Sequence, residues 1–151
     1  MNGIWILVLL VLPFCTDALP SLRLGTLQSA GVEGILKCKG KPAVGVKVKL
    51  YDTDTGCSFR ISTLDDLMDE GITDANGHFL LKGHETEITS IDPKLNVYHD
   101  CNDETIPCLK KFSIKIPKDY VSEGEQPKRI FKAGEFNLEG TFSGESRDCL
   151  N

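Results

Sequence analysis

The chain has 151 residues, of which 40% are hydrophobic, 26% charged and 7% aromatic, the profile of one ordinary globular domain rather than of a disordered chain or a coiled coil. Its 17 Lys and Arg stand against 22 Asp and Glu, a formal charge of −5. That field repels long polyanions, so the composition argues against nucleic acid as a partner.

Ile4 to Leu12 is an unbroken apolar run closed by Pro13, about half of the roughly 20 residues a membrane helix needs. Thr16 and Ala18 supply small side chains at the minus-three and minus-one positions of a cleavage site, so residues 1–18 read as a secretory signal cut after Ala18. Met1-Asn2-Gly3 carries no Lys or Arg, which leaves the amino terminus to provide the positive end. The expected mature domain, 19–151, keeps 17 basic and 21 acidic residues once Asp17 is gone, a net of −4. No second apolar span follows, so no transmembrane segment is expected, and the absence of Asn-x-Ser/Thr predicts no N-linked glycan.

The first strand signal is Gly34, Leu36 and Cys38 alternating with Ile35 and Lys37. After the turn residues Gly40-Lys41-Pro42-Ala43 comes a clearer one, with Val44, Val46, Val48 and Leu50 facing one way and Lys47, Lys49 and Tyr51 the other. These two segments form a strand pair or a crossing between sheets. Asp52 to Glu70 reads as a long polar loop with a short strand near Phe59 to Ser62. Asn76-Gly77 then signals a type I′ hairpin with arms Ile72–Ala75 and His78–Lys82.

Leu95, Val97 and His99 alternate with Asn96, Tyr98 and Asp100, and Phe112, Ile114 and Ile116 alternate with Lys111, Ser113 and Lys115. Pro117 to Gly134 is a connection of a length that is often functional, and Phe136, Leu138 and Phe142 mark a last strand against Glu135, Asn137, Glu139 and Thr141. No helical stripe is sustained over ten residues. The fold class is therefore all-β, a two-sheet sandwich of seven to eight strands, with Val46, Val48, Leu50, Val97, Phe112, Ile114 and Leu138 meeting in its core.

Cys15 leaves with the signal, and an oxidising compartment makes the other five cysteines candidates for disulfides. Five cysteines allow 15 two-bridge patterns, and local spacing favours one pair. Cys101 and Cys108 bracket Asn102 to Pro107 between two strands, where a bridge would clamp a hairpin end and stabilise by about 2 to 3 kcal/mol. The other partners stay open. With no Cys-x-x-Cys and with His78, His84 and His99 off ligand spacing, neither a metal nor a cofactor is expected.

Together these pieces resemble a known family. Glu33-Gly34-Ile35-Leu36-Lys37-Cys38, Gly40-Lys41-Pro42-Ala43, Val46 to Asp52, Thr73-Asp74 with Gly77-x-Phe79, Ile91-Asp92-Pro93, Tyr98-His99-Asp100-Cys101, Pro107-Cys108, Ile116-Pro117 and Arg147-Asp148-Cys149 follow the order and spacing of the nematode transthyretin-like proteins. The resemblance spans roughly 33 to 149. It implies a secreted, extracellular transthyretin-like (prealbumin-like) sandwich that binds a small hydrophobic or lipid ligand or bridges cell-surface partners, with an oligomer allowed. It also implies a bridge between Cys38 and Cys149. Cys57 departs from the family pattern and is left as a free thiol or a link between chains.

Catalysis finds little support. The related hydroxyisourate hydrolases end in Tyr-Arg-Gly-Ser, whereas this chain ends Asp148-Cys149-Leu150-Asn151. His99 lies on the apolar face with Leu95 and Val97, where a lone His is usually a hydrogen-bonded core residue. Cys101, two residues on, is better explained as half a bridge than as a nucleophile. Neither a Gly-x-Ser-x-Gly elbow nor a phosphate-cradling loop is present. No enzyme activity and no catalytic residue are expected.

Asp52, Asp54, Asp65, Asp66, Asp69, Glu70 and Asp74 lack the EF-hand spacing and read as a solvated acidic loop. Lys110, Lys111 and Lys115, followed by Lys118, Lys128, Arg129 and Lys132, give the single local positive bias. These lysines are candidate contacts for an anionic lipid head group, set against the plainer role of keeping a strand edge from aggregating. Two classes of function remain: a ligand- or surface-binding module, and a structural or signalling protein acting through protein partners.

Overall fold

The computed structural model describes residues 25–53 and 65–150. The expected signal segment, Cys57 and the short strand near Phe59 lie outside them. Among the described residues ten strands run in order: β1 (Thr26–Cys38), β2 (Lys41–Pro42), β3 (Lys47–Asp52), β4 (Asp66–Ile72), β5 (His78–Glu87), β6 (Pro93–His99), β7 (Leu109–Lys115), β8 (Ser122–Glu123), β9 (Phe131–Asn137) and β10 (Ser146–Asp148). Seven are six residues or longer and build two facing sheets. The first sheet centres on β1, which pairs with β2, β5, β8 and, in parallel, β9; the second runs β10-β7-β6-β3-β4.

Alternation decides what lies between the sheets. Val32, Leu36, Phe79 and Leu81 from the first sheet meet Val48, Leu50, Leu95, Val97 and Phe112 from the second, with Leu138 and Ile116 closing the gap. Each fully buried Leu or Phe contributes about 2 to 3 kcal/mol by leaving water. Val46 and Ile114 are half-buried against this core, whereas Val44 is 61% exposed because it sits in the turn before β3.

Three connections differ from the sequence expectation. The polar stretch after Asp52 turns into edge strand β4 at Asp66, paired with β3 through a register shift at Leu50/Tyr51. Asn76-Gly77 does not close a hairpin, because β4 belongs to the second sheet and β5 to the first, so it turns a corner between them. Only Gly77 of the two has positive φ (74°), and the Asp74 carboxylate accepts N–H bonds from Asn76 and His78 at 2.8 and 2.9 Å. The turn with positive φ at both central residues is Lys39-Gly40 (54° and 69°), between β1 and β2. Finally, the last predicted strand starts earlier, at Phe131, and ends at Asn137. The 117–130 connection before it packs over β1, where Ile130 and Pro127 occupy the space that a side chain at Gly31 would need.

The cysteines pair Cys38–Cys101 and Cys108–Cys149, correcting both expected bridges, Cys101–Cys108 and Cys38–Cys149. The β6–β7 register would bring Cys101 opposite Cys108 if the strands ran on. They stop at His99 and Leu109, and a reversal through Asn102 (φ 57°) leaves Cys101 buried in the core against Cys38 at the end of β1. Cys108 instead continues the β7–β10 ladder. Leu109 faces Asp148, so Cys108 faces Cys149, at a Cα separation of 4.4 Å, the spacing of directly opposed residues. One bridge ties sheet to sheet; the other pins the short strand β10.

Candidate binding face

The outward face of the second sheet is set by period two and by the order of its strands. Register aligns three rows across it: Ser146, Lys111, Tyr98, Lys47 and Ile72; then Ser113, Asn96, Lys49 and Glu70; then Lys115, Lys94, Tyr51 and Leu67. Five lysines and two tyrosines therefore share one surface. Its centre is polar yet covered. Asn96 Oδ1 accepts from Ser113 Oγ at 2.7 Å, Asn96 Nδ2 donates to the Tyr98 hydroxyl at 3.3 Å, and Asn96 and Tyr98 are 5% and 3% exposed.

Burial pushes the Tyr98 phenol above its usual range, so it stays neutral and available as a hydrogen-bonding group. Lys49 Nζ stands 5.6 Å from the centre of the Tyr98 ring, a cation–π contact.

Carboxylates sit at the rim: Glu70 near Lys49 (3.8 Å), Asp65 on Lys94, and Asp148 near Lys111 (3.4 Å). The lysines of these pairs are partly covered, each with one carboxylate at its outer side. Lys115 is exposed, with no carboxylate partner among the described residues. At the edge of the same face Leu67 and Ile72 are 49% and 65% exposed.

Of the three lysines expected to act together, Lys111 and Lys115 lie here and Lys110 does not. Adjacent residues on a strand face opposite ways, and Lys110 turns to the inner face opposite His99, 3.6 Å from Glu145. The later basic residues are dispersed: Lys118 pairs with Asp92, Arg129 lies over the Tyr120 ring, and Lys132 pairs with Glu33. Lys47 and Lys49 were legible as outward residues of their own strand, whereas Lys94 precedes the alternation read from Leu95 onward. What single strands do not reveal is that β3, β6 and β7 are neighbours.

Acidic residues of the predicted loop that lie among the described residues have structural partners, whereas Asp54 lies outside them. Asp52 accepts the Asp92 N–H at 2.7 Å, and Asp69 accepts those of Glu70 and Lys82 at 2.9 and 2.8 Å. Among the described residues no cluster of His, Cys, Asp or Glu is arranged to hold a metal ion. His99 is buried on the core face, as alternation predicts, but neither ring nitrogen has a hydrogen-bond partner among the described residues. A small recess of about 110 Å³ lies between Thr53, Asp92, Pro93, Lys115 and Ile116, below the several hundred Å³ that hold a drug-sized ligand.

Residues 33–117 match the model of the transthyretin-like family, TTR-52. Transthyretin-like protein 5 of Caenorhabditis elegans is 52% identical over 94% of this chain and 99% of its own length. The chain belongs to the transthyretin-like family. Transthyretin-like proteins 33 and 2 of the same nematode are 53% and 44% identical, covering 82% and 85% of this chain and 83% and 86% of their own. These names state kinship and no reaction, and the chain's two-sheet fold and paired cysteines are compatible with an oxidising, extracellular setting. Within this transthyretin-like chain the matched segment carries β3, β4, β6 and β7, and so nearly all of the lysine and tyrosine face.

Proposed function

We propose that this transthyretin-like protein is secreted and works outside the cell as a binding module that docks by its surface, through the outward face of the second sheet, onto anionic lipid head groups. The observation that carries the reading is the composition of that face: five lysines around two tyrosines, with exposed Leu67 and Ile72 along one edge. A cation near an anionic membrane gains about 1 kcal/mol, and apolar side chains at the rim can enter the boundary between head groups and acyl chains. An extracellular protein with an acidic patch is the second partner class this surface suits.

Vesicle sedimentation tests the proposal. The protein should pellet with vesicles containing phosphatidylglycerol and stay in solution with pure phosphatidylcholine. Lys111→Glu with Lys115→Glu should abolish pelleting, while Lys128→Glu on the other side of the molecule should not. Equal recovery with both kinds of vesicle, or full binding by the double variant, would refute a lipid-facing role and turn attention to protein partners. If the vesicle result is as expected, mass spectra of extracts from natively secreted protein should show phospholipid.

A further inference from the structure

The two bridges frame an unusual end of the sandwich. There the inner face of the second sheet finishes in the row His99, Lys110 and Arg147. His99 is 2% exposed, its edge packs on Phe112 at 5.9 Å between ring centres, and both its nitrogens lack hydrogen-bond partners among the described residues. The lid over this row is the segment 139–145, which leads into β10. Phe142 stacks on Phe112 at 3.8 Å, Arg147 forks onto Asp103, and Glu145 approaches Lys110 with one oxygen and buries the other without a hydrogen bond. Its far end is fixed by Cys149.

We propose that His99 is an acid-released latch: while neutral it lets segment 139–145 seat over the end of the sandwich, and its protonation lifts that segment, which β10 and the Cys108–Cys149 bridge keep tethered. The charges facing it are Glu145 from the segment, Asp100 and Asp103 from the connection after β6, Lys110 from β7, and Arg147 from β10, the last already held by Asp103. Burial, the largest influence, together with Lys110, outweighs the three carboxylates and holds the imidazole below its ordinary range.

A released imidazole titrates near its ordinary value of about 6.5. The open form therefore takes up more protons than the seated one as pH falls through that value. The seated form keeps its full advantage above it and loses it on acidification. Opening would uncover the rings of Phe112, Phe136 and Phe142, which now pack on one another.

Hydrogen exchange of the disulfide-bonded protein at about pH 7.5 and about pH 5, corrected for intrinsic rates, tests the latch. Amides of 139–145 should exchange severalfold faster in acid while β3 and β6 stay protected. His99→Leu should flatten this response, and Glu145→Gln, which removes a carboxylate favouring the imidazolium, should enlarge it. Should His99→Leu fail to fold, Glu145→Gln and the NMR titration of His99, expected below the ordinary imidazole range, decide the matter. An unchanged segment in acid, uniform acceleration across the whole fold, an acid response that persists in His99→Leu, or a Glu145→Gln response no larger than the parent's would each overturn it.

Discussion

Thr73 stands where the chain leaves the second sheet for the first, and its hydroxyl joins two backbones. It donates to the Ala43 carbonyl at 2.6 Å and accepts the Val46 N–H at 2.9 Å, at 2% exposure. Thr73→Val keeps the shape and strands both backbone groups, so it should cost about 1 to 3 kcal/mol, read from the urea midpoint. Gly77, four residues on, has a positive φ of 74°, and a Cβ there would lie 2.3 Å from the Leu36 carbonyl oxygen. Gly77→Ala combines backbone strain with a clash and should cost about 2 kcal/mol or more; a variant as stable as the parent would mean that this corner is built differently. At this scale the sequence was informative wherever a side chain acts through its own strand: Val48, Leu50, Val97 and Phe112 were all legible as core from alternation alone. It marked Thr73 as part of a family motif but said nothing of its role, which depends on bringing residues 43 and 46 beside it.

Between elements, legibility stopped at pairing. The hydrophobic period gave β3, β6 and β7 close to their true bounds, because half-buried strands must alternate. Which edge β10 would join left no local mark, and the disulfides follow from that edge: with β10 on β7, Cys108 has a partner nearer than Cys101. Peptide mapping without reduction should recover 38–101 and 108–149 linkages. Removing either bridge frees a long loop in the unfolded chain, with sequence separations of 63 and 41, and each loss should cost about 4 kcal/mol at most. The Cys38→Ala/Cys101→Ala pair should be the more damaging, since it also opens a gap beside the core, whereas Cys108→Ala/Cys149→Ala should loosen β10 and leave the two sheets intact. Calorimetric melting of the two variants distinguishes them, and the reverse order would contradict this placement of the bridges.

For the molecule as a whole, the net charge of −5 and the lysine face point in opposite directions. Global charge repels a polyanion at a distance, while the local face acts within about 8 Å, the screening length at physiological salt. Binding to anionic vesicles should therefore weaken steeply as salt rises and leave no binding to nucleic acid at any physiological strength. The face is half visible in the sequence: alternation assigns Lys47, Lys49, Lys111 and Lys115 outward but does not reach Lys94, and clustering along the chain puts Lys110 with Lys111 and Lys115 although it is not clustering in space. The order of strands separates them. The most direct test of the account is an NMR titration of the isotopically labelled, disulfide-bonded domain with small phosphatidylglycerol bicelles. The account predicts that shifts concentrate at Lys47, Lys49, Lys94, Lys111, Ser113 and Lys115 with Leu67 and Ile72 at the edge, and that Lys128 and Lys132 stay still; perturbations centred on the first sheet, or none at all, would contradict it.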